Sequence, residues 1–106
     1  MLLLYVPRGT FIEKIMQKTI KITLKGKVQG VFFRQFVKDS TDRLEIAGTV
    51  ENLADGSVEV FATGEEGDLD KLVGYLEAGP PPAEVESVER EDLGEVEEFD
   101  GFQVLR

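Results

Sequence analysis

The sequence predicts an α+β sandwich with the element order βαββαβ, in which two helices cover one face of an antiparallel sheet and a short strand follows at the C-terminal end. Three observations support this prediction. Apolar residues alternate with polar ones in several short segments, as in half-buried strands. They recur every three or four residues in two longer segments, as on the buried face of a helix. The 106 residues, of which 42% are hydrophobic, suffice for one domain with a single core.

The first half of the domain is predicted to be a strand, a glycine loop and a helix. Residues 20–25 alternate strictly between apolar and polar side chains, which indicates a strand. Gly26 and Gly30 then break the strand and favour a tight loop. A helix is expected to follow and to end near Leu44 or Glu45. Its buried face is formed by Phe33, Phe36, Val37, Ser40, Thr41 and Leu44.

The second half is predicted to begin with a hairpin and to continue with a second helix. Residues 47–51 and 57–62 form its strands, and Asp55-Gly56 favours the turn because this pair readily adopts positive φ. Residues 63–68 open the helix with acidic side chains near its positive end, and the prolines after Gly79 end it. The buried stripe of this helix is formed by Leu69, Leu72, Val73 and Leu76.

The remaining segments complete the predicted domain. A fourth strand is expected at residues 85–89, and the acidic residues 91–100 form a solvated loop before the closing strand at 102–105. Residues 1–17 show weak periodicity and are expected to form a flexible N-terminal extension to a domain that spans residues 18–106. This order of elements is that of the ferredoxin-like type.

Composition excludes several kinds of site. The chain contains no cysteine and no histidine, so disulfides cannot form, the usual zinc sites lack ligands, and Ser–His or Cys–His nucleophiles are impossible. Any catalysis must use other polar side chains or backbone groups. No apolar run approaches the roughly 20 residues of a membrane span, and no signal peptide is evident. We therefore expect a cytoplasmic protein that does not enter membranes.

Charge is unevenly distributed along the chain, whose net charge is −9. Residues 1–49 carry 9 Lys/Arg and 4 Asp/Glu, a net charge of +5, whereas residues 50–106 carry 3 Lys/Arg and 17 Asp/Glu, a net charge of −14. An acidic surface repels nucleic-acid backbones, so we predict no nucleic-acid partner. A small anion could still be attracted to the basic half.

The segment from Gly26 to Arg34 is the candidate site. A loop between a strand and a helix start offers free backbone amides, and the helix dipole adds partial positive charge there, so this place suits a phosphate or a carboxylate. Arg34 lies about one turn into the helix, and its planar guanidinium can bind two phosphate oxygens. A plain strand–helix turn with Arg34 on the surface is the structural alternative. Likewise, spacing alone is compatible with Asn52 as a turn residue only.

A longer pattern resembles the acylphosphatase family and covers roughly residues 18–105. It consists of Gly26-x-Val28-Gln29-Gly30-Val31-x-Phe33-Arg34, then Gly48-x-Val50-x-Asn52, Asp55-Gly56-x-Val58-Glu59, Gly64, Gly79-Pro80 and Phe102. The resemblance implies a hydrolase that cleaves small acyl phosphates to a carboxylate and inorganic phosphate. It implies that Arg34 and Asn52 are catalytic and that the phosphate is bound by Lys27, Val28, Gln29, Gly30, Val31 and Arg34.

The resemblance also implies how these residues act. The loop would hold the phosphate through backbone amides, Arg34 would bind its oxygens, and Asn52 would orient the attacking water. Such chemistry requires no metal and no cofactor, because phosphoryl transfer depends chiefly on positioning and electrostatics. We expect a monomer whose partners are a small-molecule acyl phosphate and inorganic phosphate, the latter as product and competitor. Two other functions compete with this one. The first is a binding module that only binds anions or that belongs to a carbamoyl-phosphate-handling maturation protein, and the second is a nucleic-acid-binding ferredoxin-like domain.

The sequence departs from the family pattern outside the loop. Glu45 stands where the family usually has glycine, and positive φ there would be strained, so we expect a different local turn. Thr49 replaces a common aromatic residue, Thr41 a common small residue, and the usual terminal aromatic is missing near Arg106. These departures concern packing and stability more than the chemistry.

Overall fold

The computed structural model describes residues 16–106 and confirms the predicted order of elements. These are β1 (Gln17–Lys27), α1 (Phe33–Asp42), β2 (Ala47–Asn52), β3 (Val58–Glu65), α2 (Glu66–Ala78), β4 (Glu84–Asp92) and β5 (Phe102–Val104). The sheet order is β4-β1-β3-β2-β5. The first four strands pair antiparallel, as predicted for a ferredoxin-like fold, and β5 pairs parallel to β2, which makes the five-stranded sheet mixed.

The core lies between the sheet and the two helices. Ile20, Ile22 and Leu24 of the central strand β1 are fully buried, which confirms the inward face that the alternation predicted. The helices contribute the other large buried side chains, among them Phe33, Val37, Leu69, Leu72 and Leu76. Each such side chain contributes about 1.5–3 kcal/mol when removed from water. This core fixes β1 and α1 relative to each other and hence the loop that joins them.

Gly26 belongs to β1 and not to the loop, so the prediction that the strand ends before it is wrong. Gly26 pairs with Val85 of β4 at a register shift and has φ +126°. A Cβ atom there would lie 2.2 Å from the carbonyl oxygen of Glu84. Close approach of a neighbouring strand therefore explains this glycine, and the strand continues to Lys27.

Three boundaries after β1 differ from the prediction by more than one residue. Residues 63–65 extend β3, so α2 begins at Glu66. β4 runs to Asp92, into the segment predicted to be a loop. α1 ends at Asp42 because the amides of Arg43 and Leu44 bond three residues back, to Ser40 and Thr41, in a tighter turn.

The turn after α1 accommodates Glu45 without positive φ, as expected from its departure from the family pattern. Phe32 is the only residue other than glycine with positive φ between residues 16 and 106. Thr41, the second departure, is buried, and its hydroxyl donates to the carbonyl oxygen of Lys38 at 2.8 Å. Both departures from the family pattern are therefore accommodated within their own segment of the chain.

The acidic segment 93–101 crosses the sheet from the β4 edge to the β5 edge, a distance of roughly 19 Å at normal strand spacing. A buried hydroxyl pair holds it midway: Thr19 donates to Thr63 (2.6 Å), and Thr63 donates to the carbonyl oxygen of Glu97 (2.8 Å). The amide of Glu97 in turn donates to Thr19 at 2.8 Å. The segment predicted to be only solvated thus has an anchored backbone.

The predicted N-terminal extension lies almost entirely outside the described residues. Only its last two members are described, and Gln17 already pairs with Glu65 as the first residue of β1. In the described part of the chain, neither helix has the length and apolar character that crossing a bilayer requires.

Candidate functional site

The site is built at the junction between β1 and α1, where residues 28–32 form an irregular loop. Gly30 (φ +72°) and Phe32 (φ +62°) both adopt left-handed backbone conformations. None of the backbone amides of residues 28–32 donates a hydrogen bond to another residue between 16 and 106. Consecutive unpaired amides of this kind can converge on one anion.

The start of α1 adds positive character to this loop. Its N-cap residue, Phe32, makes no side-chain cap, and the first turn contains no acidic residue. The amides of the first helical turn have no intrahelical acceptor. The partial positive charge of the helix dipole therefore remains uncompensated at the loop.

A cavity of about 380 Å³ opens at this junction. It is lined by Val28, Gly30, Phe32, Phe33, Arg34, Gln35, Asn52 and Val104. Four of the seven predicted site residues are among them, namely Val28, Gly30, Arg34 and Asn52. The structure thus brings together the loop, a residue of α1 and the last residue of β2, although Arg34 and Asn52 are 18 positions apart in the sequence. No carboxylate is among the lining residues, and Arg34 supplies their only charged side chain.

The other three predicted residues do not line the cavity. Lys27 is the last residue of β1, opposite Glu84, and its side chain is exposed. Val31 is buried in the core. Gln29 lies within the loop, but its side chain is directed to the β2–β3 hairpin.

Gln29 ties the loop to the hairpin that follows Asn52. Its side-chain amide donates to the carbonyl oxygens of Leu53 (2.7 Å) and Ser57 (2.9 Å). The same Ser57 carbonyl accepts the amide of Leu53 at 2.9 Å, which closes the base of the turn. A side chain of the loop thus fixes the distance between the loop and the end of β2.

Arg34 is half-buried, and its guanidinium makes no hydrogen bond or ion pair with any residue between 16 and 106. An arginine placed for stability alone would be expected near a carboxylate, as Arg90 is near Asp70 (2.8 Å). The guanidinium therefore retains its donors for a ligand.

Asn52 does not serve the turn that follows it. Its side chain makes no hydrogen bond within residues 16–106, and its Oδ1 atom is buried without a partner. The turn is instead stabilised by Asp55, whose carboxylate accepts the amide (2.9 Å) and the hydroxyl of Ser57. These two hydrogen bonds, chiefly the one from the hydroxyl, lower the pKa of Asp55. The side-chain hydrogen bond that a turn residue would make is therefore absent at Asn52 among the described residues. Leaving a buried oxygen without a partner lowers the stability of the fold by about 1–3 kcal/mol.

The backbone of Asn52 is held on both sides. It pairs with Val58 of β3, and its amide donates to the carbonyl oxygen of Arg106. The amide of Leu105 donates to Val50 at 2.8 Å. The segment after β5 therefore supports the strand end that carries Asn52.

Four lining residues have no role in the predicted site, although two of them lie within its segment: Phe32, Phe33, Gln35 and Val104. Phe33 was expected only as a core residue, and it is also fully buried. Phe32 could not be identified by spacing, because a phenylalanine before a helix is usually read as core. Val104 reaches the site only through the parallel pairing of β5 with β2.

A larger cavity of about 900 Å³ lies at the opposite end of α1, but its charge does not suit an anion. Its lining includes the carboxylates of Asp42, Glu45, Glu97 and Glu98 and one lysine, Lys38, which is paired with Asp42 at 2.7 Å. Within residues 16–106, no three carboxylates are grouped so that they could hold a metal ion.

The chain is similar to known proteins over nearly all of the described domain. The acylphosphatase family model matches residues 20–104. An acylphosphatase from Helicobacter hepaticus is 44% identical over 86% of this chain and 100% of its own length. One from Lacticaseibacillus paracasei is 47% identical over 79% of this chain and 91% of its own. The solved structure of an acylphosphatase from Coxiella burnetii has a TM-score of 0.84 at 38% identity, covering 91% of this chain and 100% of that one.

Proposed function

Because the chain belongs to the acylphosphatase family and is therefore an acyl phosphate hydrolase, we propose that the loop from Lys27 to Val31, together with Arg34 and Asn52, is its active site. One observation carries the proposal. Arg34 and Asn52, whose side chains bond no residue between 16 and 106, line the same cavity as a loop of unpaired amides.

The loop binds the phosphate group of the substrate through its backbone amides. These donors are fixed by the fold before the substrate arrives, so they need no reorganisation when charge develops on the phosphoryl oxygens. Lys27, exposed and without an ion pair among the described residues, adds positive charge at the start of the loop. The dipole of α1 contributes in the same direction.

Arg34 binds two phosphoryl oxygens with its guanidinium and neutralises charge in the transition state. The lining residues supply no carboxylate that would compete for it. Inorganic phosphate carries the same oxygens, so it binds the same groups as a product and competitor.

Asn52 orients the attacking water through its side-chain amide. This amide lines the cavity and bonds no residue between 16 and 106, so it is available to the water. The water oxygen forms a bond to phosphorus, and the bond between phosphorus and the acyl oxygen breaks. The electron pair stays on the carboxylate, a good leaving group, and a phosphoryl oxygen of the substrate accepts the proton of the water.

Hydrolysis of acetyl phosphate by the purified full chain tests this proposal. We expect turnover to a carboxylate and inorganic phosphate, with the same rate after dialysis against EDTA. Inorganic phosphate should inhibit competitively, raising KM without changing kcat. Phosphate binding without hydrolysis would instead favour an anion-binding module, and inhibition that is not competitive would argue against the loop as the phosphate site.

The nucleic-acid alternative finds no support on the open sheet face. Lys21 and Lys25, the basic residues of β1 on that face, lie near Glu59 (3.6 Å) and Glu89 (3.9 Å) of neighbouring strands. Cross-strand carboxylates thus offset the positive charge that a phosphate backbone would require. A cytoplasmic location and a monomeric state stay predictions from the sequence, and light scattering would decide the second.

A further inference from the structure

Phe32 combines two unfavourable features next to the proposed active site. Its backbone is left-handed (φ +62°, ψ +23°), a conformation that residues with a Cβ atom rarely adopt. Its side chain is 81% exposed, the most exposed of the large hydrophobic residues between 16 and 106. A bulky aromatic residue is therefore held in a strained conformation without the burial that would offset the strain.

Backbone geometry alone does not explain this phenylalanine. Glycine would adopt the positive φ at residue 32 without strain, as Gly30 does two residues earlier. Core packing does not explain it either, because Phe33, not Phe32, is the fully buried ring at this junction. The exposed ring itself must account for its presence.

Val104 gives the cavity a second exposed apolar side chain. It is 42% exposed at the end of β5, and it lines the same cavity as Phe32. We call these two residues the apolar lip. The same cavity is lined by the polar side chains of Arg34, Asn52 and Gln35, so its lining offers contacts to a charged group and to an apolar one.

We propose that the apolar lip binds the acyl group of the substrate and selects acyl phosphates with an aromatic or large aliphatic acyl group. This inference rests on the proposed function, because the phosphate must be held by Arg34 and the loop for the acyl group to extend toward the lip. A phenyl ring covered by Phe32 and Val104 loses contact with water, whereas a single methyl group covers little of either side chain.

Paired substrates and a glycine variant test the proposal. The ratio of kcat/KM for benzoyl phosphate to that for acetyl phosphate is the readout. We expect a ratio above one for the unmodified chain and a fall of about tenfold in Phe32→Gly, which fits the left-handed backbone but lacks the ring. Val104→Ala should lower the ratio less, by about threefold. Tyr75→Ala, which removes an exposed ring on α2, is the matched control and should leave the ratio unchanged.

Two outcomes would overturn the apolar lip. An equal rate constant for both substrates in the unmodified chain would show no selection. An equal loss on both substrates in Phe32→Gly would show that residue 32 acts only through the loop backbone.

A binding measurement separates this proposal from the proposed function. Benzylphosphonate and methylphosphonate cannot be hydrolysed at their P–C bond, so calorimetry measures their affinities whether or not the chain turns over acyl phosphates. Tighter binding of benzylphosphonate that disappears in Phe32→Gly supports the lip even if hydrolysis fails. Equal affinities overturn the lip even if acetyl phosphate is hydrolysed.

Discussion

The two strand–helix junctions of the domain have similar topology but different electrostatics. In the first, residues 28–32 separate β1 from α1, and the first turn of α1 contains no acidic residue. In the second, α2 begins directly after β3, and Glu66 and Asp68 lie in its first turn. Glu66 also pairs with Lys18 (2.9 Å) and Arg90 (3.4 Å).

The difference shows why only one junction suits an anion. Carboxylates in the first turn compensate the positive end of a helix, which stabilises the helix and repels other anions. The second junction is compensated in this way by its own side chains. The first leaves its amides and Arg34 without partners among the described residues, so an external phosphate can supply the missing negative charge.

Removing the positive charge at the first junction should lower activity more than any other substitution. We expect Arg34→Ala to lower kcat/KM for acetyl phosphate by about 10³, while the melting temperature stays the same, because the guanidinium bonds no residue between 16 and 106. Arg43→Ala, just after the other end of α1, is the control and should retain full activity. Normal turnover in Arg34→Ala would remove Arg34 from the mechanism.

Asn52→Ala should lower kcat by about 10² without loss of stability. The substitution removes a buried oxygen that has no partner, so no hydrogen bond of the described fold is broken. Steady-state kinetics and thermal unfolding on the same samples provide the two measurements. A destabilised variant with full activity would contradict the proposed role and would show that Asn52 only stabilises the turn.

Gln29→Leu should separate the loop from the hairpin. Two hydrogen bonds are lost, each contributing roughly 0.5–1.5 kcal/mol to the free energy of unfolding. We also expect kcat to fall about tenfold, because a small misplacement of catalytic groups is costly. Urea denaturation and kinetics measure the two effects. Gln103→Leu, whose exposed side chain makes only a weak bond to Asp100 (3.5 Å), is the control. Unchanged kinetics in a destabilised Gln29→Leu would limit this residue to folding.

Arg90→Ala should have the smallest effect of these variants, because it should lower stability without changing activity. Arg90 bonds Asp70 (2.8 Å), Asp92 (3.1 Å) and Glu66, all exposed carboxylates, so we expect the melting temperature to fall by a few degrees at neutral pH and activity to stay the same.

The stabilisation that Arg90 provides should decrease in acid. The hydrogen bond from Arg90 lowers the pKa of Asp92 below its usual value of 3.8. The pair therefore stabilises the fold above that pH and ceases to do so as the pH falls through the lowered pKa. The melting temperatures of Arg90→Ala and the unmodified chain should converge there and also in high salt. A difference that persists in acid would assign the effect to lost packing of the arginine stem.

Local periodicity predicted most of the fold but little of the geometry at the site. The spacing of Ile20, Ile22 and Leu24 fixes the buried face of β1, because a strand's two faces depend only on alternation. The strand position of Gly26, in contrast, depends on the approach of Glu84, 58 positions away. The hydrogen bonds of Gln29 depend on a hairpin 24 and 28 positions away. Such contacts leave no local signal in the sequence.

The site residues illustrate the same limit. The loop motif around Arg34 was visible as a glycine pattern before a helix, and Asn52 was singled out by its place in the family pattern. Phe32 and Val104 were not, because nothing in their immediate sequence distinguishes an exposed apolar side chain from a buried one. Only the pairing of β5 with β2 brings Val104 to the cavity.

The two edges of the sheet are closed to other sheets by different means. β5 covers one edge with a strand of only three residues. β4 forms the other edge, and its nine residues include Glu84, Glu86, Glu89, Glu91 and Asp92. Two copies that met edge to edge along β4 would bring these like charges together, so the domain resists joining its sheet to that of a neighbour. Acid that neutralises the carboxylates would weaken this protection against aggregation.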